Sequence, residues 1–344
     1  MIVTIRHSVN WVAGLFSAVL IVSSCSNEIE VNVAGDPVPV VYCLLNPDVS
    51  DQYIRLGRSY LTDPLKPDEP PLTDSTVWNM PVVVYVEEWQ DGVPVNTFRF
   101  DPVTAPAKDS GYFPADNLRL YKAGFIPKRL TEYHVYVHFP DDYRIVTGIT
   151  EIPDRPIVYD PLEMPGRKIN LQTGVQYTLR WAPGEGRGIF QGQFEFVYAE
   201  EVGDVSSLNQ VIIKLDPILA LGEPIEITDI ISGNRFLADM ASQVPFREGA
   251  QRKVVNVRFG LLKGGEELAL QVSPDLQQTT LSGSLNEYTN LVNGIGLFSS
   301  VQQVSVNNLV LSNTTLNELA HSDLTQNLGF KDIHGGDLNL TKDE

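Results

Sequence analysis

The sequence predicts a mostly β protein, two antiparallel β-sandwich-like domains behind a short export and lipidation signal. Three features lead there. Apolar and polar residues alternate with period 2 in segment after segment; Gly, Pro, Asn and Asp punctuate those segments; and an N-terminal apolar run stops at Ser23-Ser24-Cys25.

The N-terminus sets the compartment. Arg6 and His7 precede an uncharged run from Trp11 to Val22, 12 residues long. A helix needs about 20 apolar residues to cross a bilayer, so residues 1–24 read as a lipoprotein signal peptide and not as a permanent span. Val22-Ser23-Ser24-Cys25 has the form of a lipobox, with aliphatic Val22, small Ser23 and Ser24 to fit a peptidase cleft, and Cys25 to receive diacylglycerol on its thiol. Each buried methylene contributes about 0.8 kcal/mol and one acyl chain holds weakly, so the three chains of a mature bacterial lipoprotein make a firm anchor. Residues 25–37 are polar and acidic, lack a core pattern and read as a tether.

Residues 38–153 form the expected first β-sandwich domain. Pro39 to Leu45 reads as a buried strand, Tyr53 to Arg58 alternates, Val82 to Trp89 is rich in β-branched and aromatic residues, and Thr97-Phe98-Arg99-Phe100 resumes after the turn signal Asp91-Gly92. Between them, Leu61 to Met80 holds Pro64, Pro67, Pro70 and Pro71 among acids and reads as an exposed loop, in which only Trp78 offers a sticky contact. Thr131 to Phe139 alternates cleanly. Tyr133, Val135, Val137 and Phe139 take one face, and Glu132, His134, Tyr136 and His138 take the other, which should meet water.

Asp154-Arg155-Pro156 marks the expected start of a β-rich second domain, residues 154–344. Gly174 to Trp181 ends on an aromatic and leads through a glycine-rich turn to Gln193 to Tyr198. That order is similar to fibronectin- and immunoglobulin-type sandwiches, in which a buried Trp precedes a Tyr-containing strand. Val254 to Gly260 and Leu268 to Val272 are further strand candidates. Two short helices interrupt them. Phe236, Leu237, Met240 and Val244 recur at helical spacing behind Ser232 and stop at Pro245, and Thr315-Leu316-Asn317-Glu318 has the pattern of a capping box.

Composition narrows the chemistry. With 43 acidic and 25 basic residues the net charge is −18, and nucleic acid, like anionic membrane surfaces, needs clustered Lys and Arg that this chain does not supply. Cys25 and Cys43 are the two cysteines; with Cys25 acylated, Cys43 has no disulfide partner, and its apolar strand makes it a core residue and not a nucleophile. His134 and His138 tempt as metal ligands. On a strand, however, four residues span about 13.6 Å, whereas zinc needs ligand atoms within about 2.1 Å of one ion. Gly184 to Gly188 lacks the Lys-Ser/Thr ending of a phosphate loop and reads as a turn, and no nucleophile elbow or calcium-loop pattern occurs. The expectation is a protein that is not an enzyme and carries no cofactor or metal.

Three stretches carry a family resemblance: Pro39 to Asn46 followed by Gln52-Tyr53-Ile54-Arg55-Leu56; Arg180-Trp181 with Phe194 to Glu200; and Tyr288-Thr289-Asn290 running into Asn293 to Ser300. Together they resemble a Bacteroidota outer-membrane lipoprotein family known as a domain of unknown function. The last stretch is the most specific, since Gly294 and Gly296, hemmed by Ile295, Leu297 and Phe298, imply a tight backbone passage against a core. Leu281 to Leu285 departs from the pattern in being more polar and containing Gly283.

The resemblance implies an outer-membrane, lipid-anchored protein, often accompanying TonB-dependent transporters and without established catalytic residues. In that lineage acids soon after the acylated cysteine favour surface display, and Glu28 and Glu30 supply two. The expected role is a surface-exposed binding or accessory module, anchored in lipid and partnered by an outer-membrane transporter or a surface glycan. Two alternatives stand beside it: a structural envelope component, and a surface hydrolase using Asp or Glu, which needs two converging carboxylates with separated pKa values.

Overall fold

The computed structural model describes residues 37–59, 77–78, 80–104, 119–203, 205–222, 224–272 and 288–334, all within the unit Pro37–Glu344. The signal, the lipobox, most of the tether, most of Leu61 to Met80 and all of Leu281 to Leu285 lie outside the described residues.

The fold is mostly β and sandwich-like, as the alternation predicts. Its first strands are β1 (Pro39–Leu45), β2 (Asp51–Arg58), β3 (Val83–Gln90), β4 (Val93–Thr104), β5 (Arg119–Gly124), β6 (Thr131–Phe139) and β7 (Arg144–Ile152). After them come β8 (Ile157–Asp160), β9 (Gln176–Ala182), β10 (Gly188–Val202), β11 (Val205–Lys214), β12 (Ile218–Ala220) and β13 (Ile227–Ser232). Helix α1 (Gly233–Gln243), β14 (Gln251–Gly264), α2 (Glu266–Val272), β15 (Leu291–Val292), β16 (Ile295–Leu309) and α3 (Asn313–His321) complete the order.

One large sheet runs β11-β10-β14-β16-β1-β2-β5-β4-β3-β6-β7-β15, with β12 also on β10; a second, smaller sheet runs β13-β9-β8. Two long strands let the large sheet turn back on itself. β4 pairs with β3 through Phe100 and with β5 from Asp101, and β16 pairs with β1 through Ser300 and with β14 from Val301. Two apolar clusters result. One gathers Val41, Cys43, Ile54, Val86, Val135 and Phe298 between β1-β2-β5 and β3-β6-β7; in the other, Leu179, Trp181 and Ile231 of the small sheet meet Phe194, Phe196 and Phe259 of the large one.

The alternation in β6 is as expected: Tyr133, Val135, Val137 and Phe139 are fully buried, and their outward neighbours are exposed or half-buried. Asp91 (φ 51°) and Gly92 (φ 77°) make the β3–β4 turn, the two left-handed residues that a two-residue hairpin needs. Helix α1 is capped by Ser232, whose hydroxyl accepts from the Arg235 amide at 3.2 Å.

Three local expectations are corrected. Helix α3 begins earlier than the capping-box pattern suggests, because Ser312 is the cap and accepts from the Thr315 amide. Thr315 and Glu318 instead hold another segment, their side chains accepting from the amides of Leu171 at 2.8 Å and Thr173 at 2.6 Å. Leu268 to Val272 is helical and belongs to α2, with Glu266 and Glu267 in the first turn where the helix dipole favours acids. Trp78 is no sticky surface contact. It is 6% exposed, packs on Phe139 at 4.9 Å, donates its indole N–H to the Gly57 carbonyl at 2.8 Å and carries the Arg58 and Arg144 guanidinium groups over its ring.

The Gly294–Gly296 passage is as tight as the sequence implies. Gly296 has φ +115°, and a Cβ there would stand 2.1 Å from the Val41 carbonyl oxygen, while one on Gly294 would meet Val146 at 2.8 Å. Asn290 braces the passage, exchanging two bonds with the Phe298 backbone at 2.7 and 3.0 Å.

The segment around Asp154 is held from the interior. The wholly buried Lys263 ammonium donates to the carbonyls of Asp154 (2.9 Å), Pro183 (2.8 Å) and Glu185 (2.9 Å), and the Gln302 amide donates to those of Pro153 and Asp154. The glycine turn fits beneath: Gly184 has φ +71°, and a Cβ there would lie 2.7 Å from the Arg155 carbonyl oxygen.

Candidate binding face

Cys25, Val22, Ser23 and Ser24 lie outside the described residues. Cys43 is inside the first core, 2% exposed, and burial pushes its thiol pKa far above the usual range, away from the reactive thiolate. His134 and His138 share the outward face of β6, and among the described residues no three His, Cys, Asp or Glu side chains gather as a metal site would require.

Two clefts and one polar cluster were candidates for chemistry. A cleft of about 270 Å³ beside Gly166 has its polar side chains engaged, Asn308 with Glu163, Arg167 with Asp160 and Lys168 with Asn313. A cleft of about 260 Å³ borders the glycine turn, where Arg187 is tied to Glu266. Behind it, the Glu267 carboxylate accepts from Thr150 at 2.8 Å and Ser299 at 2.9 Å; burial raises its pKa, those bonds lowering it in part. A hydrolytic pair needs a second free carboxylate, and neighbouring Glu266 is the one bound to Arg187.

The outward face of β3, β6 and β7 is different in kind. Cross-strand pairing sets Tyr85 opposite Tyr136, Glu87 opposite His134 and Trp89 opposite Glu132. Tyr85 and Tyr136 stack with centroids 4.8 Å apart, and Trp89 and His134 stack at 4.3 Å with their planes 10° apart. Four rings therefore stand together on a surface that the neighbouring β7 extends with exposed Ile145 and Ile149.

Carboxylates thread this aromatic group. Glu87 accepts from the Trp89 indole N–H at 3.1 Å, and Glu132 meets the His134 ring nitrogen at 2.7 Å. Burial, and then the charge of Glu87, pushes both Tyr hydroxyls above their ordinary pKa.

No protein-family model and no curated protein matches the sequence. Solved structures of immunoglobulin-domain proteins match over part of it. The crystal structure of Dpr11 IG1 bound to DIP-gamma IG+IG2 is 10% identical, with 58% of this chain and 98% of that chain covered and a TM-score of 0.19. The crystal structure of DIP-gamma IG1+IG2 is also 10% identical, with 58% and 97% covered and a TM-score of 0.18.

Sequence reasoning found half of this face. The alternation turned Glu132, His134, Tyr136 and His138 outward, but Val82 to Trp89 drew notice only for its β-branched and aromatic content. The missing signal was the register. Tyr85, Glu87 and Trp89 repeat every second residue, and one face of a strand that places two aromatics and an acid in step is rarely a core face.

Proposed function

We propose that the protein is a lipid-anchored, non-catalytic binding module of the outer membrane, displayed at the cell surface as an accessory to a TonB-dependent transporter. The Val22–Cys25 lipobox and the family resemblance support the anchor and the neighbour. The observation that carries the binding role is the outward cluster of Tyr85, Trp89, His134 and Tyr136. Aromatic residues with a polar tip are enriched where proteins meet partners, because they bury large areas at small entropic cost. Four of them in register on an open sheet face make a contact surface that folding alone does not require.

Two measurements test this. Mass spectrometry of the mature chain should find Cys25 acylated; a bare thiol removes the anchor. A photo-crosslinking residue in place of Tyr85 should join the chain, in growing cells, to an outer-membrane β-barrel protein, whereas the same residue in place of Asp323, beyond α3, should not. Equal crosslinking from both positions, or none from Tyr85, overturns the binding face.

A further inference from the structure

Resting on that binding-face reading, we propose that the face receives the cationic side chains of a basic, Arg- or Lys-bearing segment of a partner protein, with Glu87 as the central counter-charge. Glu87 stands between Tyr85 and Trp89 along β3, about 7 Å from each Cα at strand spacing, and opposite His134 on β6 and Thr97 on β4. Its carboxylate accepts from the Trp89 indole N–H at 3.1 Å. A carboxylate accepts about four hydrogen bonds, so acceptor capacity remains for an incoming guanidinium or ammonium.

The surroundings favour a cation over other ligands. Outward positions of β3, β6 and β7 present Glu87, Glu132 and Glu151 and no Lys or Arg, while at the β4 edge Arg99 is held by Asp101 at 3.3 Å and Lys122 of β5, opposite Asp101, by Asp51 at 2.7 Å. The whole chain carries −18, so a basic partner is drawn to it from a distance and a nucleic acid is repelled. Rings beside Glu87 exclude water, which strengthens an ion pair formed there, and offer apolar surface to the aliphatic stem of Lys or Arg. Sugars bind aromatic platforms through open ring faces. Here each ring gives one flat side to its stacked neighbour, at 4.3 and 4.8 Å, which leaves a poor platform for a saccharide.

The test uses the mature acylated chain in non-ionic detergent, titrated calorimetrically with end-blocked hexa-arginine, its neutral analogue hexa-citrulline, and a β-linked hexasaccharide. Hexa-arginine should bind and the other two should not. Glu87→Gln should weaken hexa-arginine at least tenfold and Trp89→Phe at least threefold, whereas Asp323→Asn, a charge loss away from the face, should leave it within twofold. Should Glu87→Gln behave as Asp323→Asn does, the attraction comes from overall charge and the cation assignment falls. Hexa-citrulline or saccharide binding that depends on Trp89 also refutes it, yet leaves the face standing; loss of the Tyr85 crosslink is the separate result that removes the face itself.

Discussion

The imidazole of His134 lies flat against the indole of Trp89, ring centroids 4.3 Å apart, while its Nε2 meets Glu132 at 2.7 Å. Aromatic pairs of this kind contribute about 0.5–1.5 kcal/mol beyond the area they bury. On a half-exposed sheet face that is a modest share of a protein's stability. Trp89→Ala should therefore lower the unfolding free energy by about 1 kcal/mol, read by chemical denaturation, and leave a cooperative transition. A loss beyond about 3 kcal/mol would make Trp89 a structural residue and weaken the case that this ring is kept for contact.

A second expectation concerns the interior. Arg252 and Glu200 form an ion pair with 0% and 2% of their side chains exposed, the Nε–Oε2 bond being 2.7 Å. Arg252 also donates to the Leu328 carbonyl and, at 2.8 Å, to that of Pro245, and Arg247 adds a bond to Glu200 at 2.7 Å. Removing one partner of such a pair leaves a buried charge uncompensated. Glu200→Ala should cost about 3–5 kcal/mol, whereas replacing both residues with apolar ones of similar volume should recover much of the loss.

Lys263 predicts a pH dependence. Burial pushes its ammonium pKa down to about 8, with the Asp154 charge opposing the shift, against an ordinary 10.5. Between those values the unfolded chain keeps a proton that the folded chain has released, so stability rises with pH through this window and the cost of burying the charge is felt in full below it. Cys43 and buried tyrosines such as Tyr133, raised by burial from ordinary values of 9.0 and 10.0, act in the opposite direction as the unfolded chain begins to lose those protons, and they do so equally in a variant that lacks Lys263. The stability gap between the native protein and Lys263→Met, read from denaturation midpoints, should therefore shift in the native protein's favour from pH 8 to 10. A gap that does not change with pH would contradict the assignment.

The backbone passage at Gly296 gives a fourth test. A methyl group there would have to occupy space 2.1 Å from the Val41 carbonyl oxygen, at φ +115°. Gly296→Ala should destabilise well beyond the about 1–3 kcal/mol that a strained conformation alone costs, because β1 itself must move. By contrast Gly124→Ala, with open space at its Cβ position, should change thermal stability little.

What the sequence could and could not reveal follows from the range of each interaction. Strand β6 was legible because its period-2 pattern separates two faces within nine residues, and α1 because Ser232, an apolar stripe and Pro245 mark both ends locally. Pairing of β1 with β16 left no such trace, since Val40 and Ile295 are remote in the chain and their partnership writes no periodicity into either. Thr315 looked like a cap because its spacing to Glu318 is right for one; only the fold brings Leu171 and Thr173 to compete for those side chains. The Lys263 contacts were partly signalled, as a lone cation amid Gly260-Leu261-Leu262 and Gly264-Gly265 is an unusual choice for a surface strand. For the binding face, the sequence showed which β6 residues look outward but not that Tyr85 and Trp89 would be set beside them.

The parallel seam between β1 and β16 has a consequence for how the protein is made. The N-terminal core is finished by Leu291 and Phe298, residues synthesised long after β7 is complete. A chain emerging vectorially therefore presents β1 to β7 with one wall missing for most of its synthesis, apolar side chains uncovered and a long strand edge open to stray pairing. Cover for that open edge until β16 arrives is what such a topology demands.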